Sequence, residues 1–267
     1  MRDLRLRAVC SSSKVGKTAE NADRVIDAID RAATDGVDIV CFPEMCLTGY
    51  AMPRSRDFSM PLDSEVVGAV VDRTGESGIC ACFGLMEDGP YITQVVAENG
   101  AIAGTYRKTH LGGRESPVAK AGSRLDVIRT SRAIIGIQLC WESHIPEITG
   151  TYATKGADIV LMPHASGLSP VRRCEGWEKV LPARAYDNTV YVAACNMVGD
   201  NGLGTVFGGG ACILDPRGNM LTHDYSGECE VTADLTSEAL DSIRHGDRST
   251  MRNLYFLEKR RPELYYR

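Results

Sequence analysis

The chain alternates between short apolar runs and segments whose apolar residues have helical spacing. Leu4–Cys10 alternates charged and apolar residues, which predicts a strand, and residues 18–33 carry apolar side chains at helical intervals. Gly36 ends that helix, and the apolar run 37–42 predicts a buried strand. The chain therefore begins as strand, helix and strand.

The same alternation continues along the chain, with hairpins inserted. Asn99-Gly100 favours a tight hairpin turn, and Asp215-Pro216-Arg217-Gly218 is a second turn sequence. Further helices are predicted at 64–74, 145–155, 175–187 and Ser237–Arg244. Further strands are predicted at 78–85, 92–98, 102–107, 125–129, 133–139, 158–162, 189–195, 205–214, 219–223 and 228–235.

This mixture of hairpins and strand–helix units predicts the fold class. It favours an α/β fold of two packed mixed sheets flanked by helices over one purely parallel sheet. No linker, repeat or low-complexity segment interrupts the 267 residues. We therefore predict a single domain over residues 1–267.

Composition and charge narrow the possible functions. With 43% hydrophobic and 24% charged residues, the chain has the composition of a folded protein. The net charge of −5 and the lack of a basic stretch argue against nucleic-acid binding. Apolar runs stop well short of the ~18 residues of a membrane helix, and the N-terminus lacks the apolar stretch of a secretory signal. We expect a cytoplasmic protein with no nucleic-acid and no membrane partner.

The chain contains ten cysteines, which raises the question of disulfides or a metal site. No Cys-x-x-Cys pair is present. Six cysteines lie in apolar segments predicted as strands, where a free thiol acts as a small hydrophobic side chain: Cys10, Cys41, Cys80, Cys82, Cys195 and Cys212. We therefore expect no disulfide network and no metal site.

Gly16-Lys17-Thr18 is similar to the end of a phosphate-binding loop. That motif requires an earlier glycine, and Ser11 stands in its place. Thr18 instead predicts the N-cap of the first helix. We therefore do not expect nucleotide binding here.

Two charged residues stand at predicted strand ends, where catalytic groups are commonly found. Glu44 follows Pro43, which ends a sheet ladder because it has no N–H. Lys108 follows strand 102–107, where an ammonium group can stabilise an oxyanion. Taken singly, each residue also fits an ordinary solvated surface charge.

The segment around Cys140 carries the sharpest signal. Cys140 ends an apolar strand, and Pro146 with Glu147 marks the start of a helix. A thiol at such an elbow lies near backbone amides that lower its pKa and bind an oxyanion. The alternative is a buried structural cysteine. His144 suggests a competing Cys–His dyad, but the local signature of papain-like enzymes is absent, so we expect His144 to line the pocket.

Together these segments resemble the nitrilase superfamily of carbon–nitrogen hydrolases. Phe42-Pro43-Glu44, Tyr106-Arg107-Lys108 and residues 136–142 are similar to that family's Glu, Lys and Cys motifs and follow in the same order. Further similar segments are 156–163, 177–180, 183–188, 208–210, 215–218 and 260–265. The resemblance implies an α-β-β-α sandwich that pairs into a homodimer or a larger homo-oligomer.

The resemblance also implies a set of roles. Cys140 is the nucleophile and Glu44 its base, while Lys108 and the backbone N–H of Trp141 hold the oxyanion. Glu115 is a second acid that supports the site, with a plain loop acid as the alternative. The implied reaction needs no metal and no organic cofactor. It cleaves a small amide or N-carbamoyl substrate through a thioester, giving ammonia together with an acid or together with an amine and carbon dioxide.

The motifs point to more than one substrate class. Cys140-Trp141-Glu142 is similar to true nitrilases, whereas residues 106–111 and 260–265 are more similar to amidases and carbamoylases. One alternative is therefore a nitrilase that converts a nitrile to an acid and ammonia. An alternative of another class is a non-catalytic scaffold with the same fold.

Candidate pocket residues follow the predicted strand 158–162. His164 and Ala165 lie at its carboxyl end, where ligands commonly bind. Arg172 or Arg173 would bind a substrate carboxylate through two parallel hydrogen bonds, which favours an N-carbamoyl amino acid or a dicarboxylic acid monoamide. Both arginines equally fit ordinary surface charges.

Overall fold

Two mixed sheets face each other at the centre of the protein. The structure is a computed structural model that describes residues 1–246 and 255–265. The helices in these ranges are α1 (Thr18–Thr34), α2 (Glu65–Ser77), α3 (Pro146–Thr154), α4 (Pro170–Asn188) and α5 (Ser237–Arg244). The strands are β1 (Leu4–Cys10), β2 (Ile39–Cys41), β3 (Cys80–Glu87), β4 (Tyr91–Glu98), β5 (Ala101–Arg107), β6 (Ile128–Arg129), β7 (Ile134–Ile137), β8 (Ile159–His164), β9 (Tyr191–Asn196), β10 (Val198–Asp200), β11 (Val206–Gly208), β12 (Ala211–Leu214), β13 (Met220–Asp224) and β14 (Cys229–Leu235).

Each large sheet combines parallel strands with antiparallel edges. The first has the order β14-β1-β2-β3-β4-β5, with β1, β2 and β3 parallel. The second has the order β13-β12-β9-β8-β7-β6, with β7, β8 and β9 parallel. Parallel neighbours need crossover connections, and α1, α2, α3 and α4 supply them. The carboxyl ends of parallel strands meet at one edge of a sheet, and this edge carries the site described below.

Helices cover the outer face of each sheet. On the first sheet, α1 and α2 bury Val25 and Val67 against the outer sides of the strands. On the second sheet, Tyr152 of α3 and Trp177 of α4 join the larger core, which also fills the space between the sheets. This layering is the predicted α-β-β-α sandwich, so the fold class is confirmed.

The single strand predicted over 205–214 is wrong. The structure has β11 and β12, separated by Gly209 and Gly210 with φ angles of 77° and 112°. Glycine adopts such angles readily, and they end a strand. As a result, β11 pairs with β10 in a separate hairpin, while β12 joins the second large sheet.

Two helix starts also differ from the prediction. Thr18 is not the N-cap of α1, because Lys17 holds that position without a capping side-chain hydrogen bond. Helix α4 begins at Pro170, earlier than predicted, because the Ser169 side chain accepts from the Arg172 N–H and caps it.

Residues 1–246 and 255–265 contain no helix that combines the length and apolar character needed to cross a membrane. The same residues contain no group of three His, Cys, Asp or Glu side chains arranged to hold a metal ion. The single-domain prediction also includes residues 247–254, 266 and 267, which lie outside the described residues, and it stays a prediction.

Candidate active site

A buried carboxylate follows the short strand β2. Phe42 donates its N–H to the Cys82 carbonyl at 2.8 Å, and Pro43 then ends the ladder. Glu44 comes next and is fully buried, so it is not the solvated loop acid of the alternative interpretation. Its Oε1 accepts from Lys108 Nζ at 2.8 Å, whereas its Oε2 is buried with no hydrogen-bond partner among the described residues.

Lys108 lies between two carboxylates. It follows β5, is fully buried, and donates from Nζ to Glu44 and to Glu115 Oε1 at 2.7 Å. Glu115 is also buried, and it accepts from the Gly112 N–H at 2.6 Å and from the Tyr50 hydroxyl at 3.1 Å. The surface-charge alternatives for Lys108 and Glu115 therefore do not hold. Sequence reasoning missed Tyr50, because nothing in its own segment indicates a carboxylate partner 65 positions away.

Cys140 lies in a strained turn just after β7 and is the first residue of a short 3-10 helix, Cys140–His144. Its φ of 47° lies in the left-handed region that residues other than glycine rarely adopt. Cys140 is half-buried as a residue, unlike the fully buried structural cysteine of the alternative interpretation. The backbone N–H of Ala165, just beyond β8, acts on the Cys140 thiol and favours its thiolate. Parallel pairing of β7 with β8 places Cys140 and Ala165 at neighbouring strand ends.

Burial controls the proton affinities in this cluster. It raises the pKa of Glu44 to about 7, with Lys108 opposing the rise and Glu115 adding to it. The expected lowering of the Cys140 pKa is wrong, because burial raises the pKa of this thiol to about 11 and the Glu44 charge adds to that rise. Burial alone disfavours the Lys108 cation, but the acidic groups around it, Glu44 first, outweigh this and raise the Lys108 pKa. Near neutral pH the cluster therefore holds a neutral thiol, a cation and a carboxyl group that readily exchanges its proton.

Glu142 is a further buried carboxylate, and sequence reasoning did not select it as a site residue. Its donors, at 2.7 to 3.0 Å, are the Tyr106 hydroxyl, the N–H and hydroxyl of Thr109, and the N–H groups of His110 and Leu139. One side chain therefore ties the segment after Lys108 to the strand end before Cys140. Glu142 is a positioning residue, because its hydrogen bonds fix the segment after Lys108 relative to the strand end before Cys140.

A model of the family described as carbon-nitrogen hydrolase matches residues 5–245. The chain belongs to the carbon–nitrogen hydrolase family. The resemblance to the nitrilase superfamily is thereby confirmed.

Amidases are among the relatives of this carbon–nitrogen hydrolase. The (R)-stereoselective amidase of Pseudomonas sp is 26% identical over 247 residues, which are 90% of this chain and 88% of the relative. Omega-amidase NIT2 of Danio rerio is 25% identical over 263 residues, 92% of this chain and 91% of the relative. A solved structure of the amidase from Nesterenkonia sp. AN1 shares the fold with a TM-score of 0.82 at 22% identity, covering 98% of this chain and 95% of that one. That structure shows covalent addition of the acetamide moiety of fluoroacetamide at the active-site cysteine of the Nesterenkonia enzyme.

His164 is placed differently from the prediction for this carbon–nitrogen hydrolase. Its Nδ1–H donates to the Met162 carbonyl at 2.7 Å, and its Nε2 accepts from the Trp177 indole N–H at 3.2 Å. Burial, with Arg173 nearby, lowers the pKa of His164 well below its usual value, so the ring is neutral. Because both ring nitrogens bond within the protein, His164 anchors Trp177 and has no polar atom left to offer a substrate.

Trp141 and His144 lie at the exposed rim next to Cys140. The Trp141 side chain is 55% exposed, and its ring centroid lies 5.9 Å from that of His144. The pKa of His144 is lowered, mainly by partial burial of the side chain and to a smaller extent by the positive charges of Arg184 and Arg173. Within the described ranges no hydrogen bond joins a histidine ring to Cys140, so the structure gives the Cys–His dyad no support.

The two adjacent arginines of α4 have opposite environments. Arg172 is exposed, as the surface-charge alternative states, whereas Arg173 is buried with its guanidinium 5.1 Å from the Trp177 ring centroid. Burial lowers the pKa of Arg173, and the acidic groups that act on it are Cys140, Tyr225 and Cys212 rather than carboxylates. Its Nε has no hydrogen-bond partner among the described residues. A buried guanidinium of this kind, close enough to act on the Cys140 thiol, is suited to bind an anion.

Proposed function

We propose that this protein hydrolyses the amide bond of a small monoamide that carries a carboxylate, releasing ammonia and a dicarboxylic acid. The observation that carries the proposal is the set of groups around Cys140. Glu44 has one carboxylate oxygen without a partner among the described residues, and Lys108 supplies a buried cation beside it. Amidases among the relatives support an amide as the substrate.

The first half of the reaction forms a thioester. Glu44 accepts the Cys140 proton, and the sulfur attacks the amide carbonyl carbon. Negative charge then develops on the carbonyl oxygen, where the Lys108 ammonium and the Trp141 backbone N–H stabilise it. Collapse of this intermediate breaks the C–N bond, and Glu44 returns its proton to the leaving ammonia.

The second half of the reaction hydrolyses the thioester. Glu44, again a carboxylate, accepts a proton from a water molecule that attacks the same carbon. The C–S bond breaks, the proton returns to the sulfur, and the acid leaves. Glu115 supports both halves because it shares the Lys108 ammonium and, with Tyr50, fixes its position.

Arg173 supports a substrate with a carboxylate. Leaving a guanidinium buried without a carboxylate partner is costly, and a substrate anion would supply one. A monoamide of a dicarboxylic acid joins that anion to the scissile amide on one short chain. An omega-amidase among the relatives agrees with this arrangement. N-carbamoyl amino acids are a second candidate, since they also combine a carboxylate with a carbonyl–nitrogen bond.

Ammonia release from matched substrates tests the proposed reaction. We expect turnover of a dicarboxylic acid monoamide and much slower turnover of the nitrile with the same carbon skeleton. An N-carbamoyl amino acid of similar length serves as the third substrate. Turnover of the nitrile alone would make the protein a nitrilase, and inertness toward all three would favour the non-catalytic scaffold.

Replacement of Arg173 tests the substrate class. In Arg173→Gln we expect KM for a monoamide with a carboxylate to rise about 10–100-fold, because a charge-assisted hydrogen-bonded pair is lost. Turnover of a neutral amide should change little. Arg172→Gln, at the exposed neighbouring position, is the matched control and should leave both substrates unaffected. Equal losses on the anionic and neutral amides would contradict the assignment.

The homo-oligomer expected from the family resemblance belongs to the same proposal. So do the cytoplasmic location and the absence of nucleic-acid and membrane partners. These remain predictions, and the small-molecule substrate is the only partner that the proposed reaction requires.

A further inference from the structure

Two cysteines far apart in the chain lie directly opposite each other in the first sheet. Cys10 ends β1, Cys229 begins β14, and they are register partners in an antiparallel pair. Opposite residues in such a pair have Cα atoms about 4.5–5.5 Å apart, within the range of about 4.4–6.8 Å that a disulfide spans. Both side chains lie on the same face of the sheet and contact the inter-sheet core. The backbone therefore already has the geometry of a cross-strand disulfide.

The two thiols donate to different acceptors. The Cys10 thiol donates to the Gly227 carbonyl at 3.2 Å, and the Cys229 thiol donates to the Asp224 carbonyl at 3.7 Å. Each still acts on the other, since Cys229 lowers the pKa of Cys10 and Cys10 raises the pKa of Cys229. The Cys10 sulfur also accepts from the Gly210 N–H at 3.3 Å. The first proton lost from the pair therefore leaves a thiolate that is stabilised by neighbouring donors.

One member of this pair reaches solvent. Cys229 is partly exposed, whereas Cys10 is fully buried, and both cysteines line a cavity of about 520 Å³ whose wall includes Arg24 and Arg31. By contrast, Cys41 and Cys195 have sulfur atoms 3.8 Å apart but are fully buried between the sheets. Access to solvent, more than proximity, distinguishes the first pair, and oxidation of cysteine depends on access.

We propose that Cys10 and Cys229 form a second thiol site, separate from Cys140, which hydrogen peroxide converts into a reversible disulfide between β1 and β14. The Cys10 thiolate attacks one peroxide oxygen, the O–O bond breaks, and the released hydroxide takes up the proton that Cys10 lost and leaves as water. The Cys229 thiol then attacks the resulting Cys10 sulfenic acid, the S–O bond breaks, and a second water leaves with the Cys229 proton. Two thiols are oxidised, and one peroxide is reduced to two waters.

Peptide mapping of the native protein tests this proposal directly. The reduced protein is treated with peroxide, its remaining thiols are blocked, and it is digested without reductant. We expect a linked peptide pair containing Cys10 and Cys229, removed by dithiothreitol, and little linkage between Cys41 and Cys195. Recovery of Cys10 or Cys229 as sulfinic or sulfonic acid without linkage between them, or equal linkage of the buried pair, would overturn the proposal.

A second readout uses stability and needs no turnover, so its result is independent of the proposed function. A disulfide between residues 10 and 229 closes nearly the whole chain and restricts the unfolded state. In a Cys140→Ala background, which removes oxidation of that thiol, we expect peroxide to raise Tm by roughly 5 °C. The same background carrying Cys229→Ser should show no rise. An equal rise of Tm in both proteins would show that the stabilisation does not come from a Cys10–Cys229 disulfide, and it would refute the proposal.

Discussion

Cys140→Ala should lose turnover by roughly 10⁴-fold or more, because no other group in the cluster can form the thioester. The fold should persist. Alanine keeps the Cβ at the strained φ of 47°, so the change adds no backbone strain, and loss of one sulfur atom from a half-buried residue leaves little cavity. Ammonia release measures the activity, and thermal unfolding measures the fold.

The control for this variant is Cys174→Ala. Cys174 is another partly buried thiol, on α4, with its sulfur 3.4 Å from a Glu178 carboxylate oxygen and no part in the cluster. It should retain full turnover. Intact mass after treatment with fluoroacetamide provides an independent check, since the Cys140 thiolate should displace fluoride and the protein should gain one acetamide moiety that maps to Cys140. Retained turnover in Cys140→Ala, or labelling spread over several cysteines, would refute the nucleophile assignment.

Much of the fold was predictable because local signals and the final packing agree. Asn99-Gly100 predicted a hairpin turn, and both residues adopt the positive φ angles, 55° and 74°, that such a turn requires. The break between β11 and β12 was missed because Gly209 and Gly210 stand within an apolar run. Their separation depends on which sheet each strand joins, and that is decided by contacts far along the chain.

The site was predictable only in part, for a related reason. Glu44, Lys108 and Cys140 each stand at a strand end, and the parallel topology brings such ends together. Tyr50 and Glu142 act through hydrogen bonds to segments distant in sequence, which no local pattern reports. His164 was chosen because it follows the predicted strand 158–162, but it is the last residue of β8 and its ring turns inward to Met162 and Trp177.

Burial explains why these few groups are enough for the chemistry proposed. A solvated glutamate would be a weak base for a thiol, whereas burial brings the pKa of Glu44 to about 7 and makes it stronger. The same burial would disfavour the Lys108 cation, so the two carboxylates that flank it keep it charged. The cluster is therefore interdependent, and loss of one member changes the proton affinities of the others.

Glu44→Gln should reduce kcat/KM by about 10²–10⁴-fold, because the same carboxylate accepts a proton in both halves of the reaction. In the unmodified protein, activity should rise with pH through about 7, since Glu44 must lose its proton before it can act as a base. The Cys140 thiol, with a pKa of about 11, should add no second rise below that value. The rise near pH 7 should be absent from the residual activity of Glu44→Gln.

Stability measurements separate this loss of activity from a loss of folding. Because the Glu44 pKa is raised in the folded state, ionising Glu44 costs stability as pH rises through about 7, and a glutamine is free of that cost. Glu87→Gln is the matched control, since Glu87 is a buried glutamate at the end of β3 that pairs with Arg107 outside the cluster. It should retain turnover and the rise near pH 7. If Glu44→Gln kept that rise, or kept more than about a tenth of the activity, the general base would lie elsewhere.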